Sequence, residues 1–219
     1  MKKLIIFGAG DIAQIAKYYF DIDSDYKVVA FTVNKQYINE NIIDGVDVVA
    51  FETLDQHYSP EEYDVFVAVS YADMNKLREG ICEKVKKKGY KLASYISSKC
   101  SYLSQFQPGE NAFIFEDNTI QPFVKIGDNV TMWSGNHIGH HSTIESNNFI
   151  SSHVVISGHC TIKEHCFLGV NATLAHKVTL NEGTLLGAGT IINKDTEING
   201  VYVPARSVKL DKTSDKIKL

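Results

Sequence analysis

The fold is decided by residues 114–198, which open with IFEDNTIQPFVKIGDNVTMWSGNHIGHHSTI at positions 114–144. Every sixth residue of this stretch is a long aliphatic side chain or a methionine. The series is Ile114, Ile120, Ile126, Met132, Ile138, Ile144, Ile150, Ile156, Ile162, Leu168, Leu174, Leu180, Leu186, Ile192 and Ile198. A period of six fits neither the roughly 3.6-residue turn of a helix nor the alternation of a flat strand. It is typical of a parallel β-helix built from hexapeptide repeats.

A second series, of smaller residues, precedes most of these aliphatic positions by two. It comprises Val124, Val130, Ser142, Val154, Cys160, Cys166, Ala172, Val178, Thr184, Thr190 and Thr196. Three hexads close one coil, so residues eighteen apart stack along the axis and both series point inwards. This register predicts that His140 lies beside Gly158.

The chain begins with a different pattern. Residues 4–7 form a short apolar run that ends at Gly8-Ala9-Gly10, and apolar side chains with helical spacing follow. This pattern predicts a strand, a glycine turn and a helix. Further strands are predicted at 27–33, 63–69 and 91–96, with a helix before the last strand whose inner face carries Leu77, Ile81 and Val85. The alternation indicates a small Rossmann-like parallel α/β domain.

The two patterns divide the chain. We expect a nucleotide-sugar-binding α/β domain over residues 1–96 and a connection over 97–113. The β-helix then covers 114–206, and a C-terminal tail of mixed charge occupies 207–219.

Composition excludes several classes of function. The chain has 219 residues, is 44% hydrophobic and carries a net charge of -4. Its basic run at 84–88 reads as the solvated face of a helix, so we expect no nucleic-acid partner. No apolar stretch is long enough for a membrane span. The four cysteines have no CxxC spacing, which favours a reducing compartment and a cytoplasmic location.

The glycine turn is the candidate phosphate site. Gly8, Ala9, Gly10 and Asp11 open a helix, where backbone N–H groups can bind a diphosphate. The acidic residue expected after the second strand to hold a ribose is replaced by Asn34 and its neighbours, which disfavours NAD. A nucleoside diphosphate would need the turn and a few contacts, from Asn34 or from Ser70 and Tyr71 at the end of the third strand. The alternative is a turn that only packs helix on strand.

Seven of the eight histidines lie in the repeat region. They are His137, His140, His141, His153, His159, His165 and His176. A zinc site needs three or four converging ligands without a competing lysine, and the register puts Lys177 in line with His141 and His159, so we expect no metal. Exposed corner residues without a role are the other interpretation. The bare Gly158 leaves one side of the His140 imidazole uncovered, as a bound acyl carrier would require.

Four motifs resemble the bacterial sugar acyltransferases that include sialic acid O-acetyltransferases and nucleotide-aminosugar N-acetyltransferases. They are FGAG at 7–10, IGHHSTI at 138–144, CFLGVNA at 166–172 and GVYVPAR at 200–206. The resemblance covers almost the whole chain. It implies a left-handed coil, against the usual right-handed crossover rule, and a homotrimer with active sites between subunits.

The resemblance also implies acetyl-CoA as the acyl donor and a histidine general base, for which His140 is the matching residue. Relatives place a carboxylate beside this histidine, whereas His141 stands here; Glu145 or an acid from a neighbouring subunit is a possible substitute. The coenzyme-contacting positions fall on Phe149, Gly158, Val170 and Ala188. The glycine turn would hold the diphosphate of a nucleotide-linked aminosugar.

These observations favour an acetyl-CoA-dependent N-acetyltransferase that acts on a nucleotide-linked amino-deoxy sugar in surface polysaccharide or glycan biosynthesis. A sugar O-acetyltransferase is the first alternative. A hydroxyl nucleophile needs stronger base assistance than an amine, and the missing carboxylate next to His140 favours the amine. A non-catalytic β-helix scaffold is the second alternative, and it predicts that His140 can be replaced without loss of function.

Overall fold

A five-stranded sheet with three helices forms the first part of the protein. The computed structural model describes residues 1–209, 211 and 213–217. The strands are β1 (Lys2–Phe7), β2 (Tyr26–Val33), β3 (Ile42–Ile43), β4 (Val46–Ala50) and β5 (Tyr63–Val67). The helices are α1 (Asp11–Ile22), α2 (Leu54–His57) and α3 (Lys76–Lys87), with short 3-10 turns at Lys35–Tyr37, Phe51–Thr53 and Ser214–Lys216.

The sheet has the order β3-β4-β2-β1-β5, and every pair is parallel except β3 with β4. The chain leaves central β1 towards β2 on one side and later returns to β5 on the other. Such a reversal opens a crevice at the carboxyl ends of the strands, where α/β proteins bind ligands. The predicted Rossmann-like domain is therefore confirmed.

Helices α1 and α3 pack on the sheet, but the buried face of α1 is wholly apolar whereas that of α3 includes an arginine. Helix α1 buries Ala13, Ala16 and Phe20 at the spacing of one helical face. Helix α3 buries Ile81 and Val85 as predicted, but Leu77 is 50% exposed. The prediction for Leu77 is wrong because the inner face is turned towards Arg78 and Cys82, which pack against the coils.

Seventeen two-residue strands then form the β-helix. They are β6 (Tyr95–Ile96), β7 (Ser101–Tyr102), β8 (Phe113–Ile114), β9 (Thr119–Ile120), β10 (Lys125–Ile126), β11 (Thr131–Met132), β12 (His137–Ile138), β13 (Thr143–Ile144), β14 (Phe149–Ile150), β15 (Val155–Ile156), β16 (Thr161–Ile162), β17 (Phe167–Leu168), β18 (Thr173–Leu174), β19 (Thr179–Leu180), β20 (Leu185–Leu186), β21 (Ile191–Ile192) and β22 (Val201–Tyr202).

These strands stack into three parallel sheets, one for each side of a triangular coil. Face 1 has the order β22-β20-β17-β14-β11-β8-β6, face 2 has β21-β18-β15-β12-β9-β7, and face 3 has β10-β13-β16-β19. Partners along each sheet are eighteen residues apart from β8 to β21, for example Phe149 with Phe167. The chain runs from face 1 to face 2 through the first corner, to face 3 through the second, and back through the third. The predicted register is confirmed over these coils.

The coils begin and end differently from the hexad series. Strand β6 already pairs with β8, so stacking starts at Tyr95, within residues that the sequence assigns to the α/β domain and the connection. At the other end Leu185 pairs with Val201, only sixteen residues later, and Ile198 is 67% exposed. The inward assignment of Ile198 is wrong because the last coil is two residues short.

The third residue of each corner, such as His141 in the corner 139–142, has a left-handed backbone. Residues with positive φ recur at intervals of six from Asn111 to Gly189, and they include four histidines. The histidines are His141, His153, His159 and His165, with φ near 60°. Asn, Asp and His tolerate this conformation better than most residues, and glycine accepts it freely. The clustering of histidines in the repeat region is thus partly a requirement of the corners.

The two parts of the chain pack directly on each other. The Arg78 guanidinium is buried between α3 and the third corner, where it donates to both carbonyl and side-chain oxygens of Asn129 and to the carbonyl of Asn148. Burial lowers the pKa of Arg78 to about 10, so it stays charged at neutral pH. Phe20 and Phe66 of the α/β domain pack against Phe113 of the first coils. None of the described helices has the length and apolar character needed to cross a membrane.

Candidate functional site

His140 lies on the second corner, exposed, with its ring next to Gly158. Its backbone N–H donates to Gln121 Oε1 at 2.8 Å, which fixes the main chain at this corner. A Cβ at position 158 would lie 2.9 Å from both Cε1 and Nε2 of His140. The eighteen-residue stacking therefore leaves room for this imidazole only because residue 158 is a glycine.

Other imidazoles surround His140. The Nδ1 atoms of His140 and His141 are 3.0 Å apart, a hydrogen bond in which one ring must donate and the other accept. The ring of His159 stacks on His141 at 4.8 Å and stands perpendicular to His140 at 5.1 Å. His176 meets the other edge of His159 at 5.3 Å. Desolvation and then the neighbouring His141 and His140 lower the pKa of His159, which favours its neutral form.

No carboxylate in the described part of the chain hydrogen-bonds to His140. Glu145, a possible substitute for the acid found in relatives, lies on the third corner and accepts a hydrogen bond from Lys163 Nζ at 2.7 Å. It therefore cannot tune His140 within the same chain, and that expectation is wrong. The hydrogen-bond partner of His140 Nδ1 is instead Nδ1 of His141.

A cleft of about 430 Å³ lies at the first corner, beside face 1. Three of the four predicted coenzyme-contacting residues line it, namely Phe149, Val170 and Ala188. The fourth, Gly158, belongs to the second corner with His140. Face 2 separates the two corners, so a single chain does not bring all four residues together.

Aromatic side chains from both parts of the protein form the wall of this cleft. The rings of Phe149 and Phe167 are stacked at 5.6 Å, and Tyr71, four residues after β5, packs on both of them at 4.9 and 4.8 Å. Trp133 also lines the cleft and packs on Phe115. Phe149 itself is 4% exposed, so it offers only a ring edge to a ligand.

The glycine turn lies at the carboxyl end of β1, next to the crevice between β1 and β5. Gly8 has φ 134°, and a Cβ there would lie 2.7 Å from the Ala68 carbonyl oxygen, so packing alone requires this glycine. Gly10 differs, because a Cβ there meets nothing within 4 Å and its φ of -98° suits any residue. Packing in the free protein gives no reason for a glycine at position 10.

A small pocket of about 150 Å³ adjoins the turn at the end of β2. It is lined by Ala9, Gln14, Tyr37, Asn39, Glu40, Ile43 and Val48. Asn34 and Ser70, the other predicted contacts, follow β2 and β5 at the same edge of the sheet but do not line this pocket. Glu40, which lines this pocket, is a carboxylate after β2 that the sequence analysis did not single out. It was missed because a 3-10 turn and loop carry it six residues beyond Asn34.

Two further residues escaped the sequence analysis. Gln121 holds the His140 backbone, and Phe167 lies one coil above Phe149. Phe167 could have been found by adding eighteen to 149. For Gln121 the offset to His140 is nineteen, outside the simple stacking rule, so the sequence held no signal.

A third cleft of about 580 Å³ joins these regions between α1 and the first corner. Gln14 lines both this cleft and the pocket by the turn, while Trp133 lines both this cleft and the aromatic one. The walls also carry Tyr19, whose hydroxyl donates to Glu116 at 2.7 Å. Gln14 and Trp133 therefore link the pocket by the glycine turn, the cleft beside α1 and the aromatic cleft as shared wall residues.

No protein-family model matches the chain, and a search of curated proteins finds no significant match. Solved structures do match. The acetyltransferase domain of PglB from Neisseria gonorrhoeae is 23% identical with a TM-score of 0.82, over 93% of this chain and 97% of that one. PerB from Caulobacter crescentus, solved with CoA and GDP-perosamine, is 21% identical with a TM-score of 0.81, over 93% and 95% of the two chains. WeeI from Acinetobacter baumannii is 15% identical with a TM-score of 0.60, over 93% and 97%.

These likenesses extend over nearly the full length of both chains, so they concern the combination of the two parts and not only a β-helix. The fold class inferred from the sequence, a small Rossmann-like domain followed by a left-handed parallel β-helix, is confirmed. The matched structures include an acetyltransferase domain, which is the class of enzyme that the four motifs resemble.

Proposed function

We propose that this protein is an acetyl-CoA-dependent N-acetyltransferase for the amine of a nucleotide-linked amino-deoxy sugar, acting in surface polysaccharide or glycan biosynthesis. The observation that carries the proposal is the exposed His140 imidazole over a bare glycine, in a chain whose fold matches PglB and PerB from end to end. A structure of the PglB domain contains acetyl coenzyme A, and the PerB structure contains CoA and GDP-perosamine.

The aromatic cleft at the first corner suits the coenzyme. Its lining by Phe149, Phe167 and Val170 is apolar, which matches the pantetheine arm, and the small exposed Ala188 leaves space at the rim. Gly158 would admit the thioester next to His140. In this proposal the coenzyme contacts two different corners.

The glycine turn suits the acceptor nucleotide. Packing does not require a glycine at position 10, because a Cβ there meets nothing within 4 Å. The close approach of a diphosphate to the N-terminus of α1 would explain why this residue is a glycine. Tyr37 and Glu40 would contact the nucleoside in the small pocket, and Asn34 and Ser70 would flank the phosphates. The cleft between α1 and the first corner, which Gln14 and Trp133 line, gives the sugar a route towards the aromatic cleft.

The hydrogen bond between His140 and His141 supports a division of roles in this mechanism. If His140 Nδ1–H donates to His141 Nδ1, then Nε2 of His140 carries the lone pair of that tautomer, and Nε2 is, with Cε1, one of the two ring atoms that a Cβ at position 158 would meet first. The sugar amine attacks the thioester carbonyl carbon, and its proton passes to Nε2. The C–S bond then breaks, the CoA thiolate leaves, and it takes up the proton from Nε2, which restores the base. His141 acts as a positioning residue that fixes the tautomer of His140.

A homotrimer completes the site in this proposal. His140 and the aromatic cleft lie on different corners of one chain, so a neighbouring protomer must bring the second corner to the first. Face 2 carries exposed apolar side chains at Val155 and Ile191, which such an assembly would cover. We assign acyl transfer to residues 114–206 and nucleotide binding to 1–96. Both substrates are charged metabolites, and we place the reaction in the cytoplasm.

Thiol release tests the function. Purified protein is incubated with acetyl-CoA and a panel of GDP-, UDP- and dTDP-linked amino sugars and free sugars, and CoA thiol is measured. We expect turnover with a nucleotide-linked amine, and a loss of about 10²-fold or more in His140→Ala. His57→Gln, at an exposed histidine of α2 outside the coils, is the matched control and should keep full activity. Turnover only with hydroxyl acceptors would make the protein an O-acetyltransferase, and no turnover with any acceptor would favour a scaffold.

A further inference from the structure

The second corner concentrates imidazoles beyond the need of an acetyltransferase. One ring nitrogen from each of His140, His141 and His159 lies within 4.8 Å of the other two, and all three side chains are exposed. We call these three residues the histidine triad. In the described part of the chain this is the one group of three or more His, Cys, Asp or Glu residues close enough to share a metal ion.

The coil geometry brings the triad together. His141 and His159 occupy equivalent left-handed positions in successive coils, so their rings are stacked almost parallel, at an interplanar angle of 11°. His140 stands perpendicular to both, which turns its edge towards them. Gly158 leaves the space around the His140 ring open. The three nitrogens thus converge on one exposed site.

The spacing suits a transition metal. With Zn–N bonds of about 2.0–2.1 Å and tetrahedral angles, ligand nitrogens lie about 3.3 Å apart. The His140 and His141 Nδ1 atoms, at 3.0 Å, are already near this distance. His159 needs only a side-chain rotation to approach, and solvent exposure permits it. Water can supply a fourth ligand at this exposed site.

The chemistry of the donor set also selects the ion. Imidazole binds Zn²⁺, Ni²⁺ and Cu²⁺, whereas Mg²⁺ and Ca²⁺ prefer carboxylate oxygens, which the triad lacks. Lys177 follows His159 in the stack, and its charge opposes a cation. Lys177 is exposed on a long flexible side chain, so it can turn away.

We propose that the histidine triad binds a divalent transition-metal ion such as Zn²⁺, and that binding inhibits the enzyme. The inhibitory consequence, but not the binding, rests on the proposed function. A bound ion takes the ring-nitrogen lone pair of His140, or breaks its hydrogen bond to His141. Either change removes the base that the acceptor amine requires, so the metal competes directly with catalysis.

Metal titration of tag-free protein tests the binding, with no need for enzyme activity. Zn²⁺ binding is measured by calorimetry, and Co²⁺ binding by visible absorption. His159→Asn keeps a residue suited to the left-handed backbone and should weaken Zn²⁺ affinity at least about tenfold, since even outer-shell changes cost this much. His153→Asn is the control, because His153 has the same backbone conformation at φ 59° but lies outside the triad. Equal affinities for the two variants and the wild type would overturn the proposal.

Inhibition is measured on the active protein. Zn²⁺ should abolish thiol release in the wild type and EDTA should restore it, whereas His159→Asn should keep its basal rate and need at least tenfold more Zn²⁺ for half inhibition. Bound Zn²⁺ that leaves wild-type turnover unchanged would overturn the inhibitory role. An inactive protein that still binds Zn²⁺ through the triad would refute the proposed function and leave the metal site standing.

Discussion

At the scale of single residues, the proposed chemistry depends on what is missing at position 158. Any side chain there would contact Cε1 and Nε2 of His140, whose ring projects over the glycine. The backbone of Gly158 does not have the positive φ that requires glycine. The glycine is therefore explained by the neighbouring imidazole and not by the corner itself.

Gly158→Ala should lower kcat by between about tenfold and 10²-fold, because the new methyl group displaces the His140 ring from its productive position. Steady-state kinetics with acetyl-CoA and the acceptor measure the effect, and thermal unfolding checks that the fold is intact. Gly80→Ala is the control, since a Cβ there meets nothing within 4 Å. An unchanged kcat in Gly158→Ala would contradict the assignment of His140 Nε2 as the base.

The residue scale also marks a limit of sequence reasoning. The eighteen-residue period correctly paired His140 with Gly158. The hexad spacing could have explained His141 and His159 as left-handed corner residues, because Asn129, Asn147 and Asn171 share their hexad position. The ring orientations that make three histidines converge were not predictable, since they depend on side-chain rotation at an exposed corner.

At the scale of elements, helix α3 is fixed to the third corner by one buried cation. Arg78 donates only to backbone and amide oxygens, and no carboxylate of the described residues is paired with it. A sequence pattern predicts the apolar residues Ile81 and Val85 on the inner face but not an arginine. Leu77 was placed there instead, because hydrophobicity was the only available guide.

Arg78→Leu should lower the free energy of unfolding by roughly 2–4 kcal/mol, because the buried Asn129 carbonyl loses its donor and Asn129 Oδ1 and the Asn148 carbonyl each lose one of their donors. The adjacent Leu77→Ala should change it by less than about 0.5 kcal/mol, since Leu77 is half exposed. Urea denaturation measures both variants. The opposite order of effects would mean that α3 packs through the face predicted from the sequence.

A second link joins α1 to the first corner. Glu116 accepts hydrogen bonds from Ser134 Oγ at 2.6 Å and from the Tyr19 hydroxyl at 2.7 Å. Desolvation opposes the charged form, but these two hydrogen bonds outweigh it and lower the pKa of Glu116. A lowered folded-state pKa stabilises the fold above the unfolded-state pKa, and this contribution is lost as the pH falls through the folded-state value.

The unfolding free energy should therefore fall as the pH is lowered below about 4.3, the ordinary pKa of glutamate. Glu116→Gln should show a smaller fall over the same range, because the amide does not titrate. Glu61→Gln, at an exposed position, should follow the wild type. Denaturation at a series of pH values measures the slopes, and identical slopes for Glu116→Gln and the wild type would contradict the account.

At the scale of the whole molecule, the fold was predictable further than the site. A hexad period specifies coils, faces and stacking, because only inward aliphatic residues recur at that interval. It failed at Ile198, where the chain shortens the last coil and Tyr202 packs against the core instead. The start at Tyr95 was hidden because the first coil contains too few hexads to establish a phase.

The division of the site between corners was present in the register but not read from it. Gly158 and Val170 are twelve residues apart, which is not a multiple of eighteen, so they belong to different corners. Phe149, Val170 and Ala188 share one cleft, whereas Gly158 accompanies His140. If all of these residues serve one reaction, two protomers must supply them.

Mixed assemblies test this claim most directly. His140→Ala removes the base, and Ala188→Trp fills the aromatic cleft at an exposed position that the coil tolerates. Each variant alone should assemble as the wild type does in sedimentation experiments and show almost no thiol release. Doubly tagged hetero-assemblies, purified after co-expression, should regain a substantial fraction of wild-type activity, because some sites combine an intact His140 with an intact cleft. Hetero-assemblies as inactive as the two parents would contradict an active site shared between protomers.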